Sequence, residues 1–263
     1  MAINEKLLYE FYNDPERENN RSSVSKARGI EFLYTKKLLD KYVKSKATVL
    51  EIGCATGYYG MYLHDKCKEY IGIDIVPQNI ENFYKKIKEF GISNIKTFVG
   101  DAVNITNFNN DTFDFVLNLG PMYHLSSQER ELSLLESKRV CKNNGIIMFS
   151  YINKFGAYFQ GILREPEKYP NKTANDLILE KGTDDIRPNV FFYTTPEEME
   201  KLALEKGLKI IGNYGVDFLF NIGHINSMDE EKFNNWIEFS DYLFESKSCT
   251  GLSIHGIMVC KKE

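Results

Sequence analysis

From Thr48 onward the chain alternates short apolar runs with amphipathic stretches, and this rhythm constrains the fold more than any other feature. The apolar runs fall at 48–52, 70–75, 95–99, 113–118 and 145–151. Helical stretches are expected between them, at about 57–66, 78–90 and 126–142. Strands alternating with helices specify βαβ units, and right-handed crossovers gather such units into an open, doubly wound parallel sheet. Upstream, Ile30, Phe32, Leu33, Leu38, Leu39 and Val43 recur at helical spacing, which predicts an N-terminal helical segment over 1–45 leading into a main domain over 46–263.

Two stretches break the rhythm. Residues 154–190 carry Phe155, Tyr158 and Phe159 and then a polar, Pro-interrupted run, and residues 216–248 carry Trp236, Phe239, Tyr242, Leu243 and Phe244. Both are expected to be cap insertions, the first a helical lid, with the aromatic residues forming the core of the inserted elements. Between them, Thr195-Pro196-Glu197-Glu198 starts a helix: a Thr cap, Pro at the first position and acids that complement the dipole. That helix should stop at Gly207, a strand should follow over 208–214, and the last strand is expected over 252–259. The acidic pairs Asp184-Asp185 and Glu230-Glu231 are expected to be solvated.

Composition narrows the partners. The 33 basic and 37 acidic side chains leave a net charge of −4, which removes the simplest electrostatic case for a nucleic-acid or anionic-membrane binder. No apolar run approaches the ~18 to 20 residues that span a bilayer, and the N-terminal residues lack an apolar signal core, so a soluble cytoplasmic protein is expected. Cys54, Cys67, Cys141, Cys249 and Cys260 are widely spaced, with no C-x-x-C pair, and are expected to be reduced thiols without a metal. Phe 18, Tyr 16 and Trp 1 make up 13% of the chain, enough for a large core or an aromatic-lined pocket.

The segment Val49-Leu50-Glu51-Ile52-Gly53-Cys54-Ala55-Thr56-Gly57-Tyr58-Tyr59-Gly60 passes from a strand through a glycine turn into a helix. Such a turn lets backbone approach a ligand closely beside the free N–H groups of a helix start. It is not the dinucleotide fingerprint G-x-G-x-x-G, because the second and third glycines are missing in register, and Glu51 would repel a diphosphate. A cationic ligand suits it better. The segment resembles the first motif of class I S-adenosylmethionine-dependent methyltransferases.

Later positions carry the same resemblance. Asp74 stands where the family has an acidic residue for the ribose hydroxyls, with Ile75 next to it. Asp101 and Ala102 in Phe98-Val99-Gly100-Asp101-Ala102 correspond to the contacts with adenine. Asn118 and Leu119 open a fourth-strand motif that continues through Gly120-Pro121-Met122-Tyr123-His124-Leu125, and Lys142-Asn143-Asn144-Gly145 replaces the family's Pro-Gly-Gly-type turn. Ala55 replaces the middle glycine of the family's G-x-G-x-G.

The resemblance implies an α/β, Rossmann-like class I methyltransferase fold, a mostly parallel seven-stranded sheet with helices on both faces and an inserted helical lid. It implies S-adenosyl-L-methionine as cofactor and S-adenosyl-L-homocysteine as product. The expected cofactor residues are Glu51, Gly53, Cys54, Ala55, Gly57, Asp74, Ile75, Asp101, Ala102, Asn118 and Leu119. His124 is the expected base or acceptor-orienting group, with Tyr123 beside it, and Tyr151 and His255 are assigned to the substrate pocket. Whether Tyr12 or Arg21 closes over the cofactor is open at this level.

The expected acceptor is a small molecule methylated on O or N. Nucleic acid is disfavoured because the DNA-amino-methylating motif is absent at Asn118-Leu119-Gly120-Pro121. Metal assistance is disfavoured because no acidic cluster follows the fourth strand. The alternatives are a cofactor-binding regulatory protein without catalysis and, with less support, a nicotinamide-dependent oxidoreductase. The acceptor and the oligomeric state are not legible.

Overall fold

The computed structural model of the protein describes residues 5–12, 14–21, 23–183, 190–218 and 222–263. Its strands in chain order are β1 (Thr48–Ile52), β2 (Glu69–Asp74), β3 (Ile95–Val99), β4 (Phe113–Asn118), β5 (Cys141–Asn153), β6 (Tyr193–Thr194), β7 (Leu208–Gly215) and β8 (His255–Lys262). They form one sheet in the order β3-β2-β1-β4-β5-β8-β7, with β6 pairing beside the end of β5. The pairings through β6 are parallel, and β8 runs antiparallel between β5 and β7. The path holds the seven expected strands; the two-residue β6 is an eighth that no apolar run announces.

The helices are α1 (Glu5–Tyr12), α2 (Pro15–Asn20), α3 (Lys26–Tyr42), α4 (Tyr58–Leu63), α5 (Pro77–Glu89), α6 (Ser127–Val140), α7 (Lys154–Arg164), α8 (Lys172–Asn175), α9 (Pro196–Glu205), α10 (Ile222–Ser227) and α11 (Glu230–Glu245). Strand alternation sorts their contacts into two layers. Val49, Phe115, Leu117, Met148, Ile257 and Val259 share one core with residues of α3, α4 and α5, while Leu50, Ile52, Ile147, Phe149, Met258 and Cys260 share the other with residues of α6 and α9. A carboxylate at Glu51 therefore lies on the face of Val49, and a side chain at position 150 on the face of Met148.

Capping boxes start α6 at Ser126 and Glu129 and α9 at Thr195 and Glu198, the latter with Pro196 at its first position. The last strand begins at His255 rather than 252, because residues 247–252 form a 3-10 helix, and it runs on to Lys262. The expected turn at 142–145 lies within β5, where the pairing register with β4 shifts and Asn144 takes a positive φ of 65.

The two insertions differ from expectation in what they cover. The second packs against α3: Tyr34 Oη donates to Asp241 at 2.9 Å and Ala27 N–H to Asn226 Oδ1 at 3.0 Å. It thickens that layer. Phe244 stacks between Tyr34 and Tyr214, whereas Phe239 and Tyr242 face solvent. On α7, Phe155 and Phe159 are also exposed rather than core. Asp184-Asp185 lies outside the described residues, and Glu230-Glu231 opens α11 behind the Asp229 cap.

Candidate functional site

The strand order reverses between β1 and β4, and at such a switch point the loops leaving the carboxyl ends diverge and leave a crevice. A cleft of about 720 Å³, its open mouth included, occupies that place. A second of about 650 Å³ adjoins it and shares Glu18, Arg21, Gly53, Ala55, Gly120 and Tyr123.

The turn after β1 is built for close approach. Gly53 (φ 75) and Ala55 (φ 45) are left-handed, and a Cβ at Gly53 would meet Pro121 at 2.6 Å. An alanine in this region costs on the order of 1 to 2 kcal/mol. The Ala55 N–H donates to Asp74 Oδ2 at 2.9 Å, which fixes both the turn and the carboxylate at the end of β2. Asp74 Oδ1 accepts from Val76 N–H at 2.9 Å, and burial raises the carboxyl's pKa.

Of the residues expected at the cofactor, Gly53, Ala55, Asp74, Ile75, Asp101 and Ala102 line the first cleft, and Glu51, Cys54 and Leu119 line the second. Two do not reach it. Gly57 is the N-cap of α4 with φ 84, and a Cβ there would lie 2.1 Å from Phe83, so this glycine serves the turn and the packing behind it. Asn118 shares the face of Val116 and points under α6, where its Nδ2 donates to Ser133 Oγ at 2.8 Å and Ser137 Oγ at 3.1 Å. The same alternation removes Tyr151 from the pocket: it lies on the α9 side, donating to Asn213 Oδ1 at 2.8 Å, and Ser150 lines the cleft instead.

Glu51 is 2% exposed and accepts a hydrogen bond from Tyr70 Oη. Burial pushes its carboxyl up to about 8, against the Tyr70 hydrogen bond and with the Asp74 carboxylate adding to the rise. Asn79, which the sequence did not single out, lines the first cleft beside Asp74, and its buried Oδ1 has no partner among the described residues. A buried acceptor left open costs about 1 to 3 kcal/mol. The donor set fits an S-adenosyl nucleoside: carboxylates and an open amide oxygen for hydroxyls and amines, apolar Ile75, Ala102 and Leu125 for a ring, and Glu51 for an ammonium.

The N-terminal segment covers the crevice. Leu8, Tyr12, Glu18 and Arg21 all line the first cleft. The Tyr12 hydroxyl lies 2.7 Å from His124 Nε2, and His124 Nδ1 lies 2.6 Å from the Val190 carbonyl. A carbonyl can only accept, so Nδ1 carries the proton and Nε2 accepts from Tyr12. Both ring nitrogens are engaged, and burial depresses the imidazole to about 4. His124 cannot take an acceptor's proton in this arrangement, contrary to its expected role as base. Tyr123, buried beneath it, also lines both clefts.

On the second cleft's wall, Arg21 lies between Glu31 at 3.5 Å and Glu18 at 3.9 Å. His255 stands at the start of β8 with Nδ1 2.6 Å from Asp217 Oδ2, and Asp217 Oδ1 accepts the His255 backbone N–H at 2.7 Å. Glu18, Glu31 and Asp217 were not found from sequence. No motif marks them: Glu18 and Glu31 read as ordinary helix acids near Arg21, and Asp217 meets His255 only across 38 positions.

Residues 49–145 match the family model of a methyltransferase domain, the span that holds β1 to the start of β5. A ribosomal RNA large subunit methyltransferase E of Brachyspira hyodysenteriae is 26% identical over 200 residues, 72% of this chain and 95% of that protein. The crystal structure of a SAM-dependent methyltransferase from Aquifex aeolicus superposes with a TM-score of 0.57 at 16% identity, covering 95% of this chain and 99% of that one. The [4+2]-cyclase SpnF gives a TM-score of 0.65 at 14% identity, covering 100% and 96%. At such identities the structures establish a shared fold and leave the reaction to the site.

Proposed function

We propose that the chain, whose residues 49–145 match a methyltransferase-domain family model, is a class I S-adenosylmethionine-dependent methyltransferase that methylates O or N of a small molecule held in the second cleft. Bound S-adenosylmethionine supplies an electrophilic methyl group on a sulfonium. Asp74 and Asn79 would hold the ribose hydroxyls, Asp101 and Ala102 the adenine, and Glu51 the ammonium. The N-terminal segment excludes water, Tyr12 latching onto His124 and Arg21 onto Glu31. Methyl transfer needs mainly alignment and a dry site, which this cover provides.

The observation that carries the small-molecule reading is the cleft's charge and closure. Among the described residues, Glu18, Glu31, Asp74 and Asp101 line the two cavities against a single arginine, Arg21, and Glu51 adds a carboxyl that burial keeps largely neutral. A polyphosphate strand would be repelled by that wall, whereas a compact acceptor fits beneath the cover. The Brachyspira relative, named for ribosomal RNA, supports a second reading in which RNA is the acceptor.

One experiment separates these. Calorimetric titration with S-adenosylhomocysteine and NAD, followed by labelled methyl transfer to a panel of phenols, amines and carboxylates and to ribosomal RNA, should show homocysteine-nucleoside binding and label in the small-molecule pool. Label in RNA alone would replace the acceptor assignment. Binding of the nucleoside without transfer to anything would favour a regulatory protein, and binding of NAD alone would remove the methyltransferase reading.

A further inference from the structure

A second histidine meets the requirements that His124 fails. His255 lines the second cleft with Glu51, Ser150 and Ile257, on the same face of the sheet as the turn after β1. Its Nδ1 is held by Asp217 at 2.6 Å, and the carboxylate must accept there, so the neutral ring carries its proton on Nδ1. Nε2 has no hydrogen-bond partner among the described residues. Asp217 is fixed in turn: its Oδ1 accepts from the His255 backbone and, at 2.7 Å, from Ser253 Oγ. A carboxylate therefore sets the tautomer and orientation of an imidazole that lines the cavity and whose other nitrogen is left without a partner among the described residues.

We propose that His255, oriented by Asp217, is the base that takes the acceptor's proton during methyl transfer. The proposal rests on the methyltransferase reading of this site. The step balances: the acceptor's O–H or N–H proton goes to His255 Nε2, the pair left on O or N forms the bond to the methyl carbon, and the methyl–sulfur bond breaks with its electrons kept on sulfur. Asp217 is a positioning residue: it holds Nδ1 and stabilises the imidazolium. An acceptor chosen by this site has an ionisable O–H or N–H, so a carbon nucleophile is disfavoured.

The charged groups facing His255 come from three elements. They are Asp217 after β7, Glu31 of α3 with its carboxylate 3.8 Å from Nδ1, and Arg21 of the N-terminal segment. The two carboxylates raise the imidazole's pKa, against burial and Arg21. Tyr59 and Tyr123 border the same cavity, and burial keeps both hydroxyls protonated.

Diethyl pyrocarbonate tests the dyad without an identified acceptor, because it acylates a histidine only through an accessible, unprotonated ring nitrogen. With the sites mapped by mass spectrometry, His255 should be labelled several-fold faster than His124, with a rate that rises through a midpoint above pH 6.5. Asp217→Asn should move that midpoint down by about one unit, and Glu31→Gln, which leaves the Asp217 hydrogen bonds in place, by less. An unlabelled His255 alongside a labelled His124, or a midpoint indifferent to both substitutions, overturns the proposal. Titration of the same wild-type sample with S-adenosylhomocysteine reports separately on the cofactor reading, so the two failures are distinguishable.

Discussion

His124 and His255 stand on the same cavity system and differ in what occupies their second nitrogen. Each has Nδ1 engaged by an oxygen, at 2.6 Å in both cases. At His124 that oxygen is a neutral carbonyl and Nε2 is capped by Tyr12, so burial dominates and the ring stays neutral to about pH 4. At His255 the oxygen belongs to a carboxylate with a second carboxylate nearby, so the charged form is favoured and Nε2 is left to the cavity. Proximity to a motif does not make a base. A usable lone pair and a partner that welcomes the resulting charge do.

The largest expected consequence is kinetic. His255→Asn, which can still donate to Asp217, should lower kcat by about 10²- to 10⁴-fold on an identified acceptor. His124→Asn should cost less than about tenfold, and a larger loss from His124 than from His255 would reverse the comparison.

Acid stability comes next. His124 titrates near 4 when folded and near its ordinary 6.5 when unfolded, so between these values the unfolded chain binds more protons. Stability therefore rises with pH across that window and is lost on acidification. At pH 5 the loss relative to pH 7 amounts to about 2 kcal/mol from this group. Urea midpoints at the two pH values should show that difference shrinking in His124→Asn; an unchanged pH dependence would mean that the ring is already solvated.

Glu51 offers a test of the cofactor end. Its carboxyl, pushed up to about 8, is mostly protonated at pH 7, and an ammonium beside it favours the ionised form. Binding of S-adenosylhomocysteine at pH 7 should then release up to about one proton, seen as a dependence of calorimetric enthalpy on the buffer's ionisation enthalpy, and this should vanish at pH 9. A buffer-independent enthalpy at pH 7 would remove Glu51 as the ammonium's partner. The smallest effect is that of Tyr12→Phe, which deletes one hydrogen bond worth about 1 kcal/mol. It should weaken S-adenosylhomocysteine binding by about fivefold and make His124 newly reactive to diethyl pyrocarbonate.

The sheet and its turn were legible because they rest on local rules. Apolar runs placed β1 to β5, and Thr195 with Pro196 placed α9. The two-residue β6 has no such signal, since it exists only by pairing with the end of β5. Two of the misplacements share one cause. Asn118 and Tyr151 lie at strand ends that do reach the crevice, yet strand alternation turns one under α6 and the other under α9. Asn79 was within reach, because it falls in the first turn of the helix that follows Asp74.

The sequence by itself determined the parallel sheet, the glycine turn after β1 and the carboxylates at the ends of β1 and β2, since each follows from periodicity or from a backbone angle set by nearby residues. Only the tertiary structure decided which histidine keeps a free nitrogen. Tyr12 lies 112 positions from His124, and Asp217 lies 38 from His255. Pairings over such distances are set by packing, and packing also fixes the local charge that decides where a proton can go.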